Sequence, residues 1–266
     1  MGIDRNVQTR HPGNYSLPRG AGLILLLWCF LLLPESAFSS DPSIGGDLQI
    51  KLTMNELLGE QGAALYAQIL PPEQPISWEV YLPVNSTSEI PGVLVYVSPQ
   101  DSGQIDARWR SVMDQQNLIY IAANDSGNRI PVNRRMVLAI MALKALRQLY
   151  EFANDRISIS GFSGGGKVAS FLASHYPEIF TGAIYICGVE FWKKDKTPNV
   201  ERLLQNRFVF LSGSRDFNRA ETSVVYRRYL KAGAHHSKLM VIPGMSHEHP
   251  DAQSLSEALV FLYNPG

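Results

Sequence analysis

A chain of 266 residues, 45 % hydrophobic and 18 % charged, is long enough to bury a proper core and too apolar to remain disordered. Lys plus Arg and Asp plus Glu both total 24, so the formal net charge is zero. With no basic stripe and no interleaved aromatics, that balance argues against a nucleic-acid or anionic-membrane binder and favours small neutral or weakly charged partners.

The N-terminal 20 residues are polar and include Arg5, Arg10 and Arg19. Residues 21–33 (AGLILLLWCFLLL) carry no charge, Pro34 and Glu35 end the run, and the small residues Ala37 and Ser39 follow. A basic segment, a short apolar segment and a small-x-small site predict a secretory signal over 1–39, cleaved after Ser39. The apolar run is shorter than the roughly 18–20 residues that cross a bilayer. The alternative is an uncleaved anchor, the one route by which this chain would touch a membrane. Bulky Trp28 before Cys29 argues against lipid attachment. The expectation is an exported protein, periplasmic or secreted. Cleavage would leave Cys187 as the lone cysteine, with no disulfide to form, and its apolar neighbours (AIYIC) predict a buried, inert thiol.

Residues 40–46 read as a short leader and 47–266 as one domain. Residues 64–70 and 77–82 predict two strands, separated by Pro71, Pro72 and Pro75 and forming an antiparallel edge. From residue 92 onward strands and helices alternate. Strands are expected at 93–97, 118–122, 156–160, 183–187, 208–211 and 239–242, and helices at 105–116, 134–152, 167–175, 222–232 and 252–262. The longest helix repeats Met136, Ile140, Leu143, Leu146 and Leu149 at three-to-four spacing. Continuous apolar strands such as VLVYV suit parallel strands buried on both faces. The order predicts an α/β fold: a mostly parallel twisted sheet, helices on both faces, and chemistry at the C-terminal strand ends.

One strand end stands apart. Gly161-Phe162-Ser163-Gly164-Gly165 is a G-x-S-x-G sequence running from strand to helix with almost no loop. A nucleophile on so tight a turn is strained, and side chains two residues before or after it would collide. The helix that follows aims its N-terminal N–H groups at developing negative charge. The run Gly164-Gly165-Gly166-Lys167 is followed by Val168, not Ser or Thr, so it lacks the order of a phosphate-binding loop.

A serine hydroxyl needs a base, and the base needs an orienting group. Asp216 follows the 208–211 strand and His247 follows the 239–242 strand, giving the chain order serine, acid, histidine. Asp216 competes with a plain helix-capping role, and with Asp195 and Asp251, the latter placed to cap the last helix. His249 competes with His247. His175, His235 and His236 read as surface residues. His247, Glu248 and His249 lack the spacing of a metal site, so no metal is expected. The backbone N–H groups of Gly164 and Gln100 are the expected oxyanion donors, Pro99 having no N–H to give. Phe162, Phe191 and Trp192 are candidate pocket residues. Phe191 and Trp192 either line an acyl pocket or pack the short 188–207 segment onto the body. Residues 124–128 are expected to border the cleft.

With GFSGGG at 161–166, GSRDFN at 213–218 and PGMSHEHP at 243–250, the chain resembles α/β-hydrolase serine esterases of the polyhydroxybutyrate-depolymerase-like type over about 76–264. The resemblance implies a nucleophile at Ser163, an acid at Asp216, a base at His247, a small-molecule or polymer ester as substrate, and no cofactor. Many relatives carry His-Gly where this chain has Ser98-Pro99. Two other readings share these residues: a serine peptidase, and a non-catalytic binding protein on a hydrolase scaffold.

Overall fold

The computed structural model describes residues 45–84, 89–191 and 197–263. The expected signal over 1–39, Cys29, Trp192 and Asp195 lie outside the described residues. Among those described, no helix is long and apolar enough to cross a membrane.

Eight strands form one sheet: β1 (Gly46–Leu52), β2 (Ile76–Leu82), β3 (Gly92–Val97), β4 (Leu118–Ala123), β5 (Ile157–Phe162), β6 (Gly182–Ile186), β7 (Arg207–Gly213) and β8 (Ser237–Ile242). Their spatial order is β1-β2-β4-β3-β5-β6-β7-β8. β2 pairs antiparallel with both β1 and β4, and every later pairing is parallel. The helices are α1 (Met54–Ala64), α2 (Arg110–Gln116), α3 (Val132–Arg147), α4 (Gly164–His175), α5 (Val200–Gln205), α6 (Arg219–Lys231) and α7 (Ala252–Tyr263).

The side-chain alternation of the strands explains both layers. Tyr96, Ile184, Val209 and Leu211 face one side, where Trp109, Met113 of α2 and Leu255, Leu259 of α7 complete a buried cluster. On the other side Tyr185, Phe208 and Phe210 surround Tyr229 of α6, with ring centroids 6.3, 5.1 and 4.9 Å from it. Burial on both faces is why these strands read as unbroken apolar runs rather than as alternation.

The antiparallel edge is present, but its partner strand is not the expected 64–70. Thr53 opens α1 with a capping box: its hydroxyl accepts from the Glu56 N–H, and the Glu56 carboxylate accepts from the Thr53 N–H. The helix reaches Ala64, and turns follow in which the Leu70 N–H donates to the Tyr66 carbonyl. The alternation in ALYAQIL therefore marks two anchors, Tyr66 and Leu70, buried beneath turns. β1 instead begins at Gly46, inside the expected leader. α3 starts two residues before the expected 134 and stops at Arg147, because the Leu146 carbonyl takes the N–H of both Leu149 and Tyr150 and turns the chain. α5 was not expected; the Asn199 side chain caps it by accepting from the Arg202 N–H.

Candidate active site

β5 enters α4 with Ser163 alone between them. Ser163 has φ 55° and ψ −120°, a left-handed backbone that side chains disfavour. Close packing holds it there. A Cβ on Gly161 would overlap the Gly165 carbonyl, and one on Gly165 would overlap the Val97 carbonyl oxygen. The Ser163 N–H donates to the Ile186 carbonyl at 2.8 Å, tying the turn to β6. Gly165→Ala is therefore expected to destabilise the fold by at least about 2 kcal/mol. A shift of the urea unfolding midpoint to lower concentration, relative to wild type, checks it.

The loops after β7 and β8 are laced together. The Ser214 N–H donates to the Ile242 carbonyl, the Arg215 N–H to the Met245 carbonyl, and the Gly244 N–H to the Ser214 hydroxyl. That lacing brings two distant segments to Ser163. His247 Nδ1 lies 2.9 Å from Asp216 Oδ1, and His247 Nε2 lies 2.9 Å from Ser163 Oγ. A carboxylate only accepts, so Nδ1 carries the hydrogen and the Nε2 lone pair faces the hydroxyl. The Asp216 side chain is fully buried, and its Oδ1 also accepts from the Asn218 N–H at 3.0 Å. This turn contact and the histidine contact share one oxygen, and the capping alternative for Asp216 does not hold, because Asn218 is the residue at the N-cap of α6 and no side chain caps that helix.

Neither a protein-family model nor a curated protein matches the sequence. Solved structures do match by shape. An S-formylglutathione hydrolase from Staphylococcus aureus superposes with a TM-score of 0.58 at 15 % identity, over 83 % of this chain and 98 % of that one. A ferulic acid esterase gives 0.59 at 13 % identity, over 82 % and 98 %. A mutant feruloyl esterase module from Clostridium thermocellum, complexed with sinapinate, gives 0.55 at 13 % identity, over 87 % and 93 %. The chain has the α/β-hydrolase fold.

Within the α/β-hydrolase fold the rival residues fall elsewhere. His249 Nε2 lies 2.9 Å from the Tyr96 hydroxyl, and its ring packs among Trp109, Tyr96 and Phe162. Asp251 caps α7, accepting from the Ser254 N–H at 2.8 Å. His235 and His236 are exposed, whereas His175 is buried: its ring stacks on Phe171 at 3.7 Å, and Nδ1–H donates to the Phe171 carbonyl oxygen. The surface expectation for His175 failed because its spacing of four from Phe171 puts it on a packed helix face.

The expected oxyanion donors stand differently. Gly164 opens α4, where first-turn N–H groups have no helical acceptor. The Gln100 N–H donates to the Ser98 hydroxyl at 3.0 Å and is so engaged in this structure. The 124–128 loop does border the site, since a Cβ at residue 164 would overlap the Asn128 side-chain amide. Phe162 and Phe217 flank the His247 ring at 4.8 and 4.2 Å. Phe217 is 75 % exposed and was not singled out from the sequence, although it adjoins Asp216 in GSRDFN. Phe191 packs edge-on against Tyr229 at 5.8 Å, which favours its packing role over a pocket role. Arg135 was also missed; it is 3 % exposed and hydrogen-bonds the site's backbone.

Cys187 is buried, and its thiol is pushed up to about 12, by burial first and then by the Asp216 carboxylate beside it. It therefore stays protonated at neutral pH. Its sulfur, an Asp216 oxygen and a His247 nitrogen lie within 4.8 Å of one another, the one candidate metal cluster among the described residues. Two of its members are already bonded to each other, and the third is a neutral thiol, a poor ligand.

Burial also depresses the His249 pKa below 6.5, against the pull of the Asp106 carboxylate 4.0 Å away. Above 6.5 the imidazole is neutral in both the folded and unfolded states. As the pH falls through that value the unfolded chain takes up the proton first, so stability drops. Thermal unfolding at a series of pH values should show this acid loss in wild type and a smaller one in His249→Gln.

Proposed function

We propose that this protein hydrolyses carboxylic esters through an acyl-enzyme on Ser163. The observation that carries the reading is the unbroken hydrogen-bond chain from Asp216 through His247 to Ser163, supplied by three separate strand-end loops. His247 Nε2 takes the hydroxyl proton as Ser163 Oγ attacks the acyl carbonyl, and Asp216 holds the ring and balances the imidazolium. The oxyanion forms against the Gly164 N–H, with the Gln100 N–H as second donor once it leaves Ser98 Oγ. Collapse expels the alcohol with the proton from His247; water then attacks the acyl-enzyme by the same base and releases the acid. These steps consume no cofactor.

The neighbours' names support small acyl groups on oxygen or sulfur. Phe162 and Phe217 beside His247 support a planar, aromatic acyl or alcohol portion. A panel of acetyl, butyryl and hydroxycinnamoyl esters against peptide anilides tests the reading. Turnover of esters with the anilides left intact is expected; cleavage of the anilides alone would make it a peptidase, and cleavage of neither would contradict the proposal. The signal expected over 1–39 supports action outside the cytoplasm, which N-terminal sequencing of the exported chain, expected to begin at Ser40, would test.

A further inference from the structure

Arg135 is a buried cation without a visible electrostatic reason to be there. It lies in the first turn of α3, the end of a helix dipole that disfavours positive charge, and among the described residues no carboxylate pairs with it. Burial lowers its pKa to about 10, which still leaves it charged at neutral pH. Its partners are backbone carbonyls: Nε donates to Ser126 at 2.6 Å, Nη2 to Ser98 at 3.0 Å and Nη1 to Gly164 at 3.5 Å. These three carbonyls belong to three different segments: the end of β3, the loop after β4, and the first residue of α4. Two of those segments carry the N–H groups assigned to the oxyanion. A rigid planar fork with several donors can hold such a set in one geometry, and a lysine cannot reproduce it.

We propose that Arg135 is a positioning residue for the oxyanion site: it locks the Ser98–Gln100 and Gly164 backbones at a fixed separation and sets a positive charge behind them. This rests on the ester-hydrolysis reading. The charge acts most where negative charge develops, so its effect belongs to the transition state and not to substrate binding.

The test uses Arg135→Lys and Arg135→Met in the full chain, with p-nitrophenyl acetate as substrate and an aryl trifluoromethyl ketone, which forms a tetrahedral serine adduct, as the transition-state probe. Thermal unfolding reports folding. In the folded variants kcat should fall about 10- to 100-fold with KM nearly unchanged, and ketone affinity should fall by a similar factor. The lysine variant, which keeps the charge but not the fork, should recover part of the loss and stay folded even if the methionine variant does not. A purely structural role would lower the melting temperature without weakening the ketone selectively. A folded lysine variant with wild-type kcat and ketone affinity, or a loss confined to KM, would overturn the proposal while leaving ester hydrolysis standing. Wild type that neither hydrolyses the ester nor binds the ketone would overturn both.

Discussion

Replacing His247 by alanine is expected to lower kcat/KM for a short ester ten-thousandfold to a millionfold, with the fold intact. His247 Nε2 is the ring nitrogen bonded to Ser163 Oγ. Among the described residues the neighbouring imidazole of His249 cannot replace it, being bonded to Tyr96 and held among three aromatic rings. The His247 side chain is 21 % exposed on a surface loop, so its removal opens no large core cavity. Initial rates with p-nitrophenyl acetate, alongside circular dichroism, check the result. A loss of less than about a hundredfold in a folded variant would mean that another group serves as base.

Asp216→Asn is expected to cost on the order of ten-thousandfold in kcat while changing the geometry little. Asp216 Oδ1 receives two donors, the His247 Nδ1–H and the Asn218 N–H. An asparagine has one acceptor oxygen and one donor nitrogen. If its oxygen serves both contacts, the negative charge that steadies the imidazolium is gone; if its nitrogen faces His247, the ring is forced into the tautomer whose Nε2 carries hydrogen and cannot take the serine proton. Either outcome acts through His247. Combining Asp216→Asn with His247→Ala should therefore add little to the loss from His247→Ala alone, and steady-state rates on the pair and the two single variants measure that. Full multiplication of the two losses would mean that Asp216 acts independently of the histidine.

Where a residue's environment is set locally, the chain could be read directly. The central strands β3, β4 and β6 read as apolar runs because both of their faces are covered, and the elbow is legible because backbone crowding demands glycine at 161 and 165. Ser163, Asp216 and His247 follow from strand-end position and chain order. What escaped depends partly on local contacts and partly on tertiary ones. The alternation in ALYAQIL imitates a strand, and only the Thr53–Glu56 capping box sets it after a helix. Arg135 looks like any helix arginine until the carbonyls of Ser98, Ser126 and Gly164 are seen around it. The Gln100 N–H turns onto Ser98 Oγ, a contact between near neighbours that residue identity allows but does not require. Phe217 packs against His247, its ring tilted by 30°, because of how two loops from β7 and β8 meet.

Covalent trapping decides whether Ser163 is a nucleophile activated by His247. Wild type, Ser163→Ala and His247→Ala would be incubated with a fluorophosphonate, and the adduct weighed by intact mass and located by peptide mapping. A single phosphonyl group per wild-type chain, on the peptide carrying Ser163, and none on Ser163→Ala, is the expected result, with labelling of His247→Ala greatly slowed. An unmodified wild-type chain, or an adduct on any other residue, would mean that Ser163 is not the nucleophile.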